Sequence, residues 1–299
     1  MILVTGAGGF IGSQVCQLLS AHHQDVLGVD QRFHDLLNFR GIKTVQGDLR
    51  DGNFLSGLFQ NYSLDAIIHL ASLLNSASRR RPEEAMHVNI GCSLQLLQLA
   101  MQFHVEKFIF GSSISVYGPK RYSEHGAVFE AEPASPNNIY GVSKRYVEIA
   151  GEHYRQEDKL QFIALRISMA VGAGAIHTAS RWRSEIFEAL QTRHLTRIQL
   201  PYTADELLPL VHVADLAEIL KQLVEAKQTS HTIYNTPSDN WQCSDLADYI
   251  QSLNHNIQLV FDPSNTRGDP EAINGNRFTD EFGYCTIPLK QRLRQMIEQ

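Results

Sequence analysis

The sequence predicts an α/β fold, a Rossmann-like doubly wound parallel sheet with a smaller C-terminal α/β substrate lobe. Three observations predict it. Over the first two-thirds of the 299 residues, short apolar segments alternate with amphipathic helical patterns, the rhythm of a parallel sheet with crossover helices. Those segments are continuous apolar runs rather than alternating ones, as expected of strands covered by helices on both faces. A glycine cluster, Thr5-Gly6-Ala7-Gly8-Gly9-Phe10-Ile11-Gly12, joins the first strand to the first helix.

The expected strands are Ile2–Thr5, Val26–Asp30, Thr44–Gly47, Ala66–Leu70, Lys107–Gly111 and Phe162–Ile167. The helices between them are Ile11–Ala21, Asn53–Asn61, Pro82–His104 and Asn138–Arg155. Past Ile167 the rhythm changes. Gly172–Ala175 opens a loop, Ser184–Gln191 reads as a short helix, and Leu210–Val213 as a strand leading into a helix over Ala214–Ala226. Ile233–Asn235 reads as a strand, Leu246–Leu253 as a helix, Asp262–Asn276 as a long loop and Leu289–Ile297 as a final helix. The division expected is a dinucleotide-binding domain over 1–167 and a smaller lobe over 168–299, interleaved with the first and not folding alone.

Composition narrows the function classes. A hydrophobic content of 43% and a charged content of 19% suit a chain that buries a core. A formal charge of −6 argues against nucleic acid as a partner. Arg79-Arg80-Arg81 is the one basic run and reads most simply as solvated surface. The four cysteines form no CxxC pair, and the 13 histidines form no HxxxH or HExxH word, so no metal site is expected. No apolar stretch approaches the roughly 20 residues that span a bilayer. Met1 runs straight into Ile2-Leu3-Val4 with no basic leader, so a cytoplasmic protein without membrane partners is expected.

The glycine cluster has the logic of a phosphate cradle. Gly6 permits a tight turn, Gly9 lets backbone approach a pyrophosphate, and Gly12 lets the helix pack closely on the strand. The helix N-terminus then offers unpaired N–H groups to the phosphates. Asp30 closes the second strand where an acid accepts from both ribose hydroxyls of a dinucleotide. A carboxylate there repels a 2′-phosphate, so NAD is the expected cofactor, although Arg32 stands where it can pair with such a phosphate. Asp48, after the third strand, reads equally as an acceptor for the adenine amino group and as a helix N-cap.

Tyr140 and Lys144 lie four apart at a helix start and share a face. A phenol has a reference pKa of about 10 and is a poor base at neutrality. A neighbouring ammonium and a positive nicotinamide both favour phenolate, so Tyr140 is the candidate base. Ser112 and Ser113 end the fifth strand at the carboxyl edge of the sheet, where α/β proteins bind ligands.

These words resemble the extended short-chain dehydrogenase/reductases. More narrowly, they resemble the NAD-dependent epimerase/dehydratase family, in its UDP-glucose 4-epimerase-like branch. The resemblance rests on the glycine cradle, Asp48-Leu49, His69-Leu70-Ala71-Ser72, Ser112–Gly118 and Tyr140–Lys144. It continues through Leu165-Arg166, Val211–Ala217, Tyr234-Asn235 and Arg267-Gly268-Asp269. It implies that Tyr140 is the base and that Lys144 lowers its pKa and binds ribose. Ser113, four residues before Tyr117, would polarise the substrate. It also extends the expected cofactor contacts to Phe10, Ile11, Gln31, Leu49, Leu70, Ala71, Ser72, Asn89 and Ile167.

Departures from the family pattern narrow the reaction. Ile114 and Ser115 stand where 4,6-dehydratases carry an Asp-Glu pair, so dehydration is not expected. Ser168 replaces the asparagine that usually faces the substrate, and Arg267 matches a late arginine that contacts a nucleotide diphosphate. Ser113, Ser168 and Arg267 are thus the expected substrate contacts. The usual stretch before Val211 is replaced by Leu200–Pro209, which faintly resembles short-chain threonine dehydrogenases. The leading expectation is an NAD-dependent sugar epimerase acting on a nucleotide sugar through a keto intermediate. A net dehydrogenase or reductase of a small hydroxy substrate and a non-catalytic NAD-binding protein are the alternatives. A homodimer through Pro82–His104 and Asn138–Arg155 is a family expectation.

Overall fold

A computed structural model describes residues 1–34, 39–119, 126–158, 160–174, 180–262 and 269–298. Seven strands form the main sheet: β1 (Ile2–Thr5), β2 (Val26–Asp30), β3 (Lys43–Gln46), β4 (Ala66–His69), β5 (Lys107–Ser113), β6 (Gln161–Ile167) and β10 (Ile233–Asn235). Their spatial order is β10-β6-β5-β4-β1-β2-β3, and every ladder is parallel.

The continuous apolar runs have a direct cause. Neighbours on a strand point to opposite faces, and both faces are covered. Leu3, Ile67 and Phe108 enter one core with Leu55, Leu58, Leu96 and Leu97 of α2 (Gly52–Asn61) and α5 (Ser93–Gln102). Val4, Ile68 and Ile109 enter the other with Val15, Leu19, Leu216 and Leu220 of α1 (Phe10–Ala21) and α8 (Val213–Glu225). β3 departs from the expectation of a buried strand. It is the sheet's edge, and Lys43, Thr44 and Gln46 are exposed.

Pro82–His104 is not one regular helix. α3 (Asn75–Arg80) precedes it. α4 (Pro82–Met86) passes through a π-helical segment, His87–Cys92, before α5 begins. Such insertions leave no trace in hydrophobic periodicity, and they concentrate at functional sites.

The later chain builds a third apolar core around Met169, Trp182, Leu208, Leu246, Ile257 and Leu293. These come from β7 (Met169–Val171), α7 (Trp182–Glu188), β9 (Leu207–His212), α9 (Cys243–Leu253), β12 (Ile257–Phe261) and α11 (Leu289–Glu298). β11 (Asp239–Gln242), β9 and β7 form a small mixed sheet, and β12 pairs with β8 (Thr196–Leu200) in another. Neither β8 nor β12 was expected, nor was α10 (Asn276–Phe282). β8 alternates exposed Arg197 and Gln199 with buried Ile198 and Leu200, too short an alternation to stand out. The later chain also enters the main fold, because β10 extends the seven-stranded sheet beside β6 and α8 packs on α1. Among the described residues no helix is long and apolar enough to cross a membrane.

Candidate active site

The cradle forms at the carboxyl end of β1. Gly12 explains its tightness: a Cβ there would lie 2.1 Å from the Gly6 carbonyl oxygen, so only glycine lets α1 start this close to the strand. Asp30, at the end of β2, faces the same turn. One carboxylate oxygen accepts the Gly8 N–H at 3.0 Å and the other the Arg32 N–H at 3.1 Å. The acid is thus fixed by backbone before any ligand reaches it. Gly8 was passed over in the sequence because it stands outside the Gly6, Gly9, Gly12 spacing.

A cavity of about 850 Å³ opens over the cradle and runs along the carboxyl edge of the sheet. Of the expected residues, Gly6, Gly9, Phe10, Ile11, Gly12, Asp30, Gln31, Asp48, Leu49, Leu70, Ala71, Ser72, Ser113, Tyr140, Lys144, Ile167 and Ser168 line it. Arg267 lies outside the described residues. Arg32 is exposed and does not line the cavity, although its backbone holds Asp30.

One expectation is corrected, the N-cap reading of Asp48. Asn89 does not line the cavity. It is buried in the π-helical segment, where Oδ1 accepts the Leu73 N–H at 2.7 Å. Its Nδ2 donates to the Leu73 carbonyl at 3.0 Å and to Ser143 Oγ at 3.2 Å. With its carboxamide so engaged, Asn89 fastens the loop after β4 to α6 (Ile139–Asp158). Asp48 is not a helix N-cap either: Asp51 caps α2, accepting from Asn53 N–H at 2.9 Å and Phe54 N–H at 3.2 Å. The Asp48 carboxylate instead grips the Arg50 guanidinium, at 2.6 Å to NH2 and 3.0 and 2.9 Å to Nε. This pairing holds its pKa down at about 2.

The reactive groups meet where β5 ends and α6 begins. Asn138 caps α6, accepting the Gly141 N–H at 2.8 Å, and so fixes Tyr140 in the first turn. Gly141 makes the approach possible, since a Cβ there would lie 2.4 Å from the Ser115 carbonyl oxygen. The two serines separate by partner. Ser112 Oγ donates to the buried Glu148 carboxylate at 2.6 Å. Ser113 Oγ donates to Ser115 Oγ at 3.1 Å, and its hydroxyl works to lower the Tyr140 pKa. Ser115 Oγ in turn donates to Asp269 Oδ1.

The charges of this group differ from expectation. Lys144 Nζ is buried, donates to the Gly111 carbonyl at 2.7 Å and lies 5.5 Å from the centre of the Tyr140 ring. Burial lowers its pKa to about 7, with Glu148 opposing the fall. Tyr140 is not lowered in the protein alone. Burial pushes its phenol up to about 12, against the opposing influence of the Ser113 and Ser72 hydroxyls, and the Asp269 charge adds to the rise.

Glu148 was not singled out in the sequence, yet it organises this wall. It is fully buried and also accepts from Arg166 Nε and NH2, both at 2.9 Å, and from Arg145 NH1 at 3.0 Å. Its only sequence signal was its place one helical turn after Lys144. Ser115, Arg183, Tyr202 and Asp269 line the cavity and were likewise not chosen as contacts. Arg79, from the basic triplet, stands at its rim.

The profile of the NAD dependent epimerase/dehydratase family matches residues 2–236. The chain belongs to the NAD-dependent epimerase/dehydratase family. A UDP-glucose 4-epimerase of Lacticaseibacillus casei is 31% identical over 233 residues, which are 73% of this chain and 69% of that protein. The UDP-glucose 4-epimerase of Halalkalibacterium halodurans is 30% identical over 175 residues, 58% of this chain and only 51% of its own length. Among solved structures, the L-threonine 3-dehydrogenase of Trypanosoma brucei superposes with a TM-score of 0.89 at 21% identity, covering 100% of this chain and 96% of that one. The Thermotoga maritima UDP-glucose 4-epimerase gives 0.83 at 22% identity, with 99% and 97% covered. The structural likenesses establish a shared fold. Membership makes the chain an NAD-dependent enzyme of the extended short-chain dehydrogenase/reductase type, and the cradle fits that cofactor: backbone N–H groups at the start of α1 for the phosphates and Asp30 for a ribose.

Proposed function

We propose that this protein is a sugar epimerase that acts on a nucleotide sugar through a keto intermediate. The observation that carries the reading is the convergence of Ser113, Tyr140 and Lys144 on one cavity with the cradle and Asp30. Kinship to UDP-glucose 4-epimerases supports the substrate class. When bound, NAD would supply a hydride acceptor that can return the hydride, and a positive charge that favours phenolate. Gly6, Gly9, Gly12 and Asp30 hold it. Ser113 hydrogen-bonds the reacting substrate oxygen and stabilises the carbonyl that develops there. Tyr140 removes that oxygen's proton and later returns it. Lys144, tied to Gly111, holds the ribose and the phenol in register. Ser168 follows Ile167, the register partner of Ser113, and contacts the substrate from the same sheet edge.

The test is an incubation of protein, catalytic NAD and a nucleotide hexose, followed by chromatography of the sugar and absorbance of NADH. The expected result is interconversion of epimers with no net NADH. Steady accumulation of NADH in step with substrate loss would overturn epimerisation in favour of a net dehydrogenase.

We also propose that a second copy covers the outer face of α6. Val142, Tyr146 and Ile149 form one stripe there, 45%, 51% and 54% exposed, and Met86 of α4 is 43% exposed. Large apolar side chains gathered on one surface mark an interface. Light scattering after size exclusion should give a dimer mass for the wild type and a monomer for Ile149→Glu. A monomeric wild type at micromolar concentration would sink the proposal.

A further inference from the structure

A chain of buried polar side chains joins the strand that leads into the cradle to the helix that presents Tyr140. Thr5 ends β1 and His69 ends β4. Asn89 lies in the π-helical segment, Ser93 opens α5, and Ser143 lies one turn into α6. Each is at most 2% exposed, and none of them lines the cavity.

The contacts are continuous. Thr5 Oγ1 lies 2.6 Å from His69 Nδ1, and His69 Nε2 lies 2.9 Å from Ser93 Oγ. Ser93 Oγ donates to the Asn89 carbonyl at 2.7 Å. Asn89 Nδ2 donates to Ser143 Oγ at 3.2 Å, and Ser143 Oγ donates to the Tyr140 carbonyl at 2.7 Å. At the cradle end the packing is as close. A Cβ on Gly6 would lie 2.8 Å from the Ala71 nitrogen, whose N–H donates to Thr5 Oγ1 at 3.4 Å.

The protons of this chain can be placed. A hydroxyl has one proton to give, and a carbonyl can only accept. Ser93 gives its proton to Asn89, so its oxygen accepts from His69, and Nε2 carries the ring proton. Nδ1 then accepts from the Thr5 hydroxyl. The opposite tautomer would face the Ser93 oxygen with a lone pair, a costly arrangement in full burial. The ring is neutral: burial lowers its pKa to about 3, and the Lys144 charge adds to the fall. Phe108 and Phe110 flank the imidazole, with ring centres 6.0 Å away in each case. Lys144 Nζ lies 4.7 Å from the centre of that same Phe110 ring. A buried network with every donor and acceptor matched rigidifies what it joins.

We infer that His69 is a positioning residue: with its proton on Nε2 it ties the cradle strand to the first turns of α6, and so holds the Tyr140 phenol in register with a dinucleotide on the cradle. The inference rests on the proposed function, in which Tyr140 is the reacting base. His69 stands outside the cavity and takes no proton from the substrate.

Three measurements test it. Nitrogen NMR of isotopically labelled wild type, with the His69 signals identified by their loss in a His69 variant, should show a protonated Nε2 and a bare Nδ1 between about pH 6 and 8. A protonated Nδ1 would overturn the inference without any assay of turnover. Hydrogen exchange should quicken more in the first turns of α6 than in α9 when Ser93→Ala removes the middle of the chain. An equal change in both helices, or none, would overturn it.

Turnover of UDP-glucose with catalytic NAD is the third. His69→Phe and Ser93→Ala should each lower kcat about 10-fold with KM nearly unchanged, since a misplacement on the order of 1 Å can cost about 100-fold. His69→Gln keeps one donor and one acceptor and should recover part of the loss. In Tyr140→Phe the same two substitutions should cost little more, because they act through the phenol. Full kcat in His69→Phe and Ser93→Ala, or equal fold-losses with and without the Tyr140 hydroxyl, would overturn the inference and leave the proposed function standing. Wild-type kcat in Tyr140→Phe would overturn the proposed function, while the spectra and the exchange would still read the tie between the cradle strand and α6.

Discussion

Tyr140→Phe is expected to lower kcat by about 10²- to 10⁴-fold, the usual contribution of a positioned general base or acid, with NAD affinity and melting temperature nearly unchanged. The ring stays, so the packing against Lys144 stays; only the hydroxyl is lost. The effect should be large because nothing nearby can replace the hydroxyl. Ser113 has a hydroxyl too weakly acidic to serve, and Lys144 is committed to the Gly111 carbonyl. The protein alone holds the phenol at about 12, so proton removal depends on charges that gather when the site fills. The pH–rate profile of the wild type should therefore place the essential base well below the value in the protein alone. Wild-type kcat in the phenylalanine variant would refute the role of Tyr140.

Glu148→Gln is expected to cost about 3 to 5 kcal/mol of stability, the range for breaking a buried ion pair. The change keeps shape and removes charge. It turns an NH2 group toward Arg166, whose guanidinium is buried and held by two bonds to the carboxylate. Chemical denaturation at fixed pH would measure it, and a loss under about 1 kcal/mol would show that the pair contributes little. The substitution also acts on Lys144. Glu148 holds that ammonium's pKa up against burial, so without it Lys144 should lose its proton at still lower pH. The sign follows. The folded lysine titrates at about 7 and the unfolded one at about 10.4. Between those values the unfolded chain binds more protons, so stability attributable to this group rises with pH. In the variant that rise should begin below pH 7.

Most of the main sheet was legible because its physics is local. Leu3 and Val4 must both be apolar when each faces a helix-covered side, and Gly12 must be glycine when α1 starts against Gly6. The later lobe was less legible. β8 and β12 pair with each other across a long separation in sequence, and Thr196–Leu200 alone carries too few alternations to announce a strand. At the site, Tyr140, Lys144 and Ser113 were legible from spacing. Glu148 and Asp269 were not, because their partners, Arg166 and Ser115, are brought near only by folding. The N-cap reading of Asp48 failed for the complementary reason: its side chain suits a cap, but it is engaged by Arg50 and Asp51 caps the helix.

The placement of β10 has a consequence for biosynthesis. A ribosome delivers this chain in order, and β6 emerges with its outer edge bare. Nothing pairs with that edge until Ile233–Asn235 has been made and has settled beside Ala164, Leu165 and Arg166. Throughout that interval a buried-type strand offers its unpaired backbone to any neighbour, the situation that seeds aggregation. A nascent chain stalled between these two strands would hold every glycine of the cradle and still lack a closed sheet, so the cofactor-binding half reaches its finished form only with the help of residues that follow it.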